Sequence, residues 1–211
     1  MTDTASDVDT QLKDYIKYLK ERLFFEPSSP TFHYNLGLAY SRKGLVDEAI
    51  SEFKQALECD PRLAQAYVNM GGLFFQKGDL DGCIEANHKA IALDPKLPMA
   101  HSNLGFAYLQ KGDLAGAIEA SRQALEIMPD FIQAHNNLAM AYFQSGQYQA
   151  SIDASLRILG FNDAYAPAHY NIAMAFRMAG DLEKAREHYE KAKSLGYPVD
   201  EAAEKEWSIQ Q

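Results

Sequence analysis

HSNLGFAYLQKGDLAGAIEASRQALEIMPDFIQAHNNLAMAY, residues 101–142, contains its own period: the stretch from His101 to Tyr108 returns from His135 to Tyr142, 34 residues later. Carried along the chain at that interval, Gly44, Gly78, Gly112, Gly146 and Gly180 fall in one column, each after an apolar-periodic segment. A helix that stops there needs a residue that enters the left-handed region without a Cβ penalty, which is the property of glycine. Lys43, Lys77 and Lys111 stand just before the first three, where the negative end of the helix dipole favours a cation. The sequence therefore predicts a repeated helix-turn-helix unit rather than one or two compact domains.

The remaining columns describe packing. Leu36-Gly37, Met70-Gly71, Leu104-Gly105, Leu138-Ala139 and Ile172-Ala173 set a large residue beside a minimal one midway along each first helix, and the minimal one lets the paired helix come close. Tyr40, Phe74, Tyr108, Tyr142 and Phe176 follow one turn on, on a neighbouring part of the same face, and are expected to fill the space between helices. In the second helices Ala49, Cys83, Ala117, Ser151 and Ala185 form a small column, and Ala56, Ala90, Ala124 and Ala192 another. Pro61, Pro95 and Pro129 then stop the second helix, which proline cannot continue.

In these residues the chain resembles the tetratricopeptide repeat (TPR) family, whose signature runs through a bulky residue, Leu-Gly, Tyr, Ala, an aromatic, Ala and Pro within 34 residues. The likeness covers Pro30 to about Tyr197. It implies an all-α fold: a right-handed α-solenoid of five tandem helix-turn-helix repeats, with an N-terminal helix and a C-terminal capping helix. The expected divisions are an N-terminal acidic tail and capping helix over residues 1–29, repeats over 30–63, 64–97, 98–131, 132–165 and 166–199, and a cap over 200–211. Departures are local. The bulky position holds His33, Tyr67, His101, His135 and His169 rather than Trp, and the aromatic of the second helix survives only as Phe53 and Tyr189. In the fourth repeat Ile158 replaces the second alanine, and Gly160 with Asn162-Asp163 replaces the proline stop. That helix is expected to end early and leave a looser junction with the fifth repeat.

The ends read as covers for the last apolar faces of a solenoid. From about Val8 to Phe24, Leu12, Tyr15, Ile16, Leu19 and Leu23 recur at helical spacing, and Pro27 falls on the proline column, which marks an orphan second helix. Residues 200–209, after Pro198, read as a short acidic helix carrying Trp207.

First helices line the concave face in this family, and one column there is uniform: Asn35, Asn69, Asn103, Asn137 and Asn171. Asparagine competes with its own backbone and is a mediocre helix former, so stability alone does not select it inside a helix. Its amide can pair with both groups of one peptide unit. With helices packed roughly 8–10 Å apart and an extended chain advancing about 3.3 Å per residue, each asparagine would serve about every third residue of an extended ligand. The column is similar to the asparagine ladders of tetratricopeptide domains such as that of O-linked N-acetylglucosamine transferase. A competing reading is that the column was copied by repeat duplication, or that each amide bridges neighbouring helices. Tyr34, Leu38, Phe75, Phe106, Leu109, Met140, Phe143, Tyr170 and Met174 are the expected concave neighbours, with Gln76, Gln110 and Gln144 along a rim and Arg42 and Arg177 as the charges. Such a lining favours an extended segment with apolar side chains. A lysine-rich clamp for chaperone tails is not expected, because Tyr34, Gln65, Met99 and Ser102 stand where basic groups would be wanted.

Other chemistry is disfavoured. Apolar residues make up 47% of the chain, enough for a sizeable core. The net charge of −9 opposes nucleic acid, whose binding needs Lys and Arg against phosphates, and anionic membrane surfaces. His101, His135 and His169 lie one repeat apart, too far to share a metal whose ligand nitrogens must sit about 2 Å from it. No phosphate-cradling or nucleophile motif occurs, so neither cofactor nor catalytic residue is expected. Cys59 and Cys83 read as free thiols, the latter in the core. With no apolar run of membrane-spanning length and no leader-like N-terminus, a cytoplasmic protein is expected. The expected function is non-catalytic: an adaptor that binds an extended peptide of a protein partner, or alternatively a scaffold that assembles as a homo-oligomer through the groove or the end helices.

Overall fold

The computed structural model describes residues 3–198, with side chains from Asp9 onward. Among these residues the fold is all-α. Eleven helices follow one another: α1 (Asp3–Phe25), α2 (Pro30–Arg42), α3 (Val46–Cys59), α4 (Ala64–Gln76), α5 (Leu80–Leu93), α6 (Pro98–Lys111), α7 (Leu114–Ile127), α8 (Ile132–Gln144), α9 (Tyr148–Phe161), α10 (Ala166–Ala179) and α11 (Leu182–Ser194). Consecutive helices pack in pairs as in a solenoid of helix hairpins. Two compact units divide inside α6, residues 1–103 and 104–211.

The turns follow from the sequence. Gly44, Gly78, Gly112, Gly146 and Gly180 have φ between +75° and +88°, the left-handed region in which a Cβ is penalised. Helix starts are capped where the sequence offers a carboxylate or hydroxyl. Ser29 Oγ accepts from Phe32 N at 3.4 Å, Asp79 Oδ1 from Gly82 N at 2.8 Å and Asp113 Oδ1 from Gly116 N at 2.9 Å, each satisfying a backbone donor that the helix leaves unpaired.

In the first unit α1 lays Ile16 and Leu19, flanked by Leu12 and Leu23, against Leu36 and Ala39 of α2. Ala49, Ile50, Phe53, Ala66, Met70, Leu73 and Ala86 then form one core across α3, α4 and α5. Small residues set the helix separation. A Cβ on Gly37 would stand 2.8 Å from the Phe53 ring, and one on Gly71 would collide with the Asn87 amide. In the second unit Leu138, Ala139, Tyr142 and Ala154 join α8 to α9, and Ala173, Ala185 and Tyr189 join α10 to α11.

Two expectations need correction. Helix α1 starts at Asp3, so residues expected as an acidic tail are already helical. The fourth repeat is not loosened: α9 has 14 residues, as do α3, α5 and α7. Asn162 does what proline was expected to do. It takes an extended conformation, its N–H donates to Ile158 O at 2.9 Å, and its Oδ1 accepts from Ala164 N at 3.1 Å. Asp60 and Asp94 make the same side-chain turn to Arg62 N and Lys96 N. Ile158 is fully buried, and Ile152 packs with Ile172 and Ala175 of α10. The expected C-terminal cap at residues 200–211, with Trp207, lies outside the described residues.

Candidate functional site

The asparagine column sits on the first helices, and much of its hydrogen bonding is internal. Asn69 Nδ2 donates to the Tyr34 hydroxyl at 3.1 Å, tying α4 to α2. Asn171 Nδ2 donates to Asn136 Oδ1 at 2.9 Å, tying α10 to α8. Asn103 Nδ2 donates to Asn87 Oδ1 at 3.3 Å. Asn137 is buried, whereas Asn35, Asn69, Asn103 and Asn171 are half-buried. The amides of Asn69, Asn103 and Asn171 thus bridge helices.

The apolar neighbours separate into two groups. Leu109 is buried with Ala117 and Ala141, and Phe106 packs against the same cluster. Tyr34 and Leu38 pack on the first unit's core, with the Tyr34 ring 5.6 Å from that of Phe53. Phe75 is half-buried near the end of α4. By contrast Met140, Phe143, Tyr170, Asn171 and Met174, drawn from α8 and α10, converge on one hollow of about 260 Å³. Ala139, Gln144 and Ser151 complete its lining, which carries no charged side chain.

Two walls of this hollow are held from behind. Ser151 Oγ on α9 donates to Ala139 O at 2.8 Å, so its donor is spent on the frame. Tyr170 stacks on Tyr197 with ring centroids 4.4 Å apart and planes at 18°. Burial, with Tyr170 and Tyr165 nearby, pushes the Tyr197 phenol above its usual range. Tyr197 was missed in the sequence, although it stands on the proline column, 34 residues after Asp163. Its break with that column was the available signal.

The histidine column has a structural role. Nε2 of His33, His101, His135 and His169 lies 2.9, 3.0, 2.8 and 3.0 Å from the backbone carbonyl six residues earlier, on Pro27, Pro95, Pro129 and Asp163. A carbonyl only accepts, so Nε2 carries the proton in each. The ring clasps the stop of one helix to the start of the next. Nδ1 of His33 meets Glu52 Oε2 at 2.7 Å, and Nδ1 of His169 meets Nδ1 of His188 at 3.0 Å. Burial, then the neighbouring His169, lowers the pKa of His188, against a smaller opposing pull from Glu187. Among the described residues no three His, Cys, Asp or Glu side chains are grouped to hold a metal, and no helix is long and apolar enough to cross a membrane.

Comparison with known proteins places this arrangement. A sequence-family profile described as a TPR repeat matches residues 71–112 and 107–146, and tetratricopeptide-repeat profiles match residues 130–195 and 30–63, together most of the chain. The chain is a tetratricopeptide-repeat protein. Among solved structures the TPR chain is similar to MamA, at 24% identity and a TM-score of 0.70 over 76% of this chain and 94% of that one. MamA 41-end from Desulfovibrio magneticus RS-1 gives 20% identity and a TM-score of 0.72 over 79% and 94%. YrrB, described as a TPR protein with an unusual peptide-binding site, gives 18% identity and a TM-score of 0.70 over 84% and 92%. At these identities the likeness shows the fold. No curated protein matches the sequence of this TPR chain.

Proposed function

We propose that this TPR protein is an adaptor that holds an extended segment of a protein partner against its first helices, with apolar side chains of the segment seated in the hollow between α8 and α10. The carrying observation is that hollow: Met140, Phe143, Tyr170 and Met174 supply apolar walls, Asn171 and Gln144 supply amides, and nothing lining it is charged. Pockets of this composition fix orientation with few polar groups and gain affinity from apolar burial. Its volume suits one or two side chains rather than a whole drug-sized ligand. Half-buried members of the asparagine column would then meet the segment's peptide groups, as in the asparagine ladders it resembles. The peptide-binding site named for YrrB supports the same reading.

A second reading, self-assembly, draws on the exposed aromatics of α1: Tyr18, Phe24 and Phe25. Tyr15 opposes stacking of another hairpin there, because it occupies the column in which Ala49, Cys83, Ala117, Ser151 and Ala185 are small and covered by a paired helix. The test uses peptides selected on the full chain from a displayed random nine-residue library. They should share an apolar residue at one position and lose most of their affinity for Met174→Lys, with helical circular dichroism retained. Failure to select any peptide, or equal affinity for the variant, rejects the adaptor reading.

A further inference from the structure

Ser151 breaks a column. At its position in the other paired second helices stand Ala49, Cys83, Ala117 and Ala185, all buried where the partner helix comes close. Alanine meets the packing requirement there, so the hydroxyl of Ser151 is an addition to the frame. It is 1% exposed, and its Oγ donates to Ala139 O at 2.8 Å. Ala139 lies inside α8, where its carbonyl already has the Phe143 N–H as helical partner. The bond therefore satisfies the hydroxyl itself, whose burial would otherwise cost stability, and supplies nothing that the fold lacks.

What sets Ser151 apart is its place. Of the residues lining the hollow between α8 and α10, only Ala139 and Ser151 are buried, so they form its floor. With its one proton given to Ala139 O, the Ser151 hydroxyl can only accept a hydrogen bond from whatever enters. Higher up, Asn171 has likewise given one amide N–H to Asn136. The walls are Met140, Phe143, Tyr170 and Met174. Thioethers and aromatic rings both pack favourably on an aromatic side chain.

We propose that this hollow is the seat of a tryptophan of the bound segment, its indole Nε1–H donating to Ser151 Oγ and its ring held by Met140, Tyr170 and Met174. This rests on the adaptor reading and deepens it by naming the anchor residue. Indole donates and does not accept, which matches a floor whose donor is spent. Phenylalanine and leucine suit the walls but leave the Ser151 acceptor without a partner. A carboxylate or a carbonyl brings a second acceptor against it. Lysine and arginine donate, but they would bury a charge where no lining side chain opposes it.

The probes are nine-residue peptides selected on the full chain from the displayed random library, labelled with fluorescein. Tryptophan should be the shared anchor. Replacing it with 1-methyltryptophan, which keeps the ring and loses the N–H, should weaken binding by about fivefold or more. Ser151→Ala, which restores the residue of three other repeats, should keep the melting point within a few degrees. It should weaken the tryptophan peptide by a similar factor and bind the 1-methyltryptophan peptide as the wild type does. Peptides that share an aliphatic anchor and lose affinity for Met174→Lys would overturn this inference and leave the adaptor reading standing. Equal weakening of both peptides by Ser151→Ala, or a 1-methyltryptophan peptide as tight as its parent, would overturn it too. So would peptides that bind Trp207→Phe at least about tenfold more tightly than the wild type, because the chain's own indole would then be the occupant. If no peptide can be selected on the wild type, the adaptor reading falls and this inference with it.

Discussion

Between α8 and α10 Met174 is one wall of the groove, whereas between α2 and α4 the equivalent position is Gly72 and carries no side chain. In the second unit Tyr197 braces Tyr170, and Asn171 bonds Asn136. In the first, Asn69 makes a comparable tie to Tyr34, yet the next turn of α4 presents Gly72. Both grooves grew from one repeated pattern. The difference teaches that the recurring columns report the fold, while the breaks in a column report what individual positions are for.

The contrast can be broken most forcefully at its frame. If the second groove is rigid because α9 and α10 are tightly packed, Ile158→Ala should cost about 2–5 kcal/mol in chemical denaturation, the range for emptying a fully buried aliphatic site. A cost within a few tenths would restore the loose junction expected from the missing proline. Next in size is the pair of glycines in α4. Gly71→Ala should destabilise by about 1–3 kcal/mol, since the added methyl must displace Asn87 in a packed core. The same substitution at Gly72, which is exposed and where a Cβ would meet nothing within 4 Å, is expected to stabilise. Equal signs in paired melts would erase the distinction between the two glycines.

The smallest effect separates the units by their histidines. His33 faces a carboxylate, while His169 faces His188. The folded pKa of His188 is lowered, so the unfolded chain binds its proton more readily, and stability must fall as pH drops below the unfolded value of 6.5 toward the folded one. Above that window the full stability is retained. Replacing His188 with alanine, the residue at the equivalent positions Ala86, Ala120 and Ala154, should flatten this acid limb. Melting curves between pH 5 and 8 that keep the same slope in the variant would place the acid sensitivity elsewhere.

The fold was legible because its signals are local and repeated. A left-handed turn demands glycine wherever it occurs, so one physical requirement left five marks at a fixed interval. The site was legible only in part. Met140, Phe143, Tyr170 and Met174 could be placed on the concave side by their column, but Leu109 shares the same chemistry and is buried, because an apolar residue at helical spacing serves core and groove alike. The asparagine amides were readable as dual-purpose. Which partner each would take depends on side chains 16 or 35 residues away, as in Asn103 with Asn87 and Asn69 with Tyr34. The Asn162 turn hid behind the absence of proline, although an Asx turn ends a helix by a different route to the same geometry.

The histidine clasp carries a kinetic consequence. Each one closes a loop of only six residues, between a carbonyl at a helix stop and a ring at the next helix start. Together with packing between successive helices, this keeps most stabilising contacts close in sequence, the condition under which chains cross their folding barrier fast. In such arrays order can nucleate in one hairpin and propagate to its neighbours. Strengthening a clasp should therefore speed the docking of one hairpin onto the next, by up to the stability it adds at that junction.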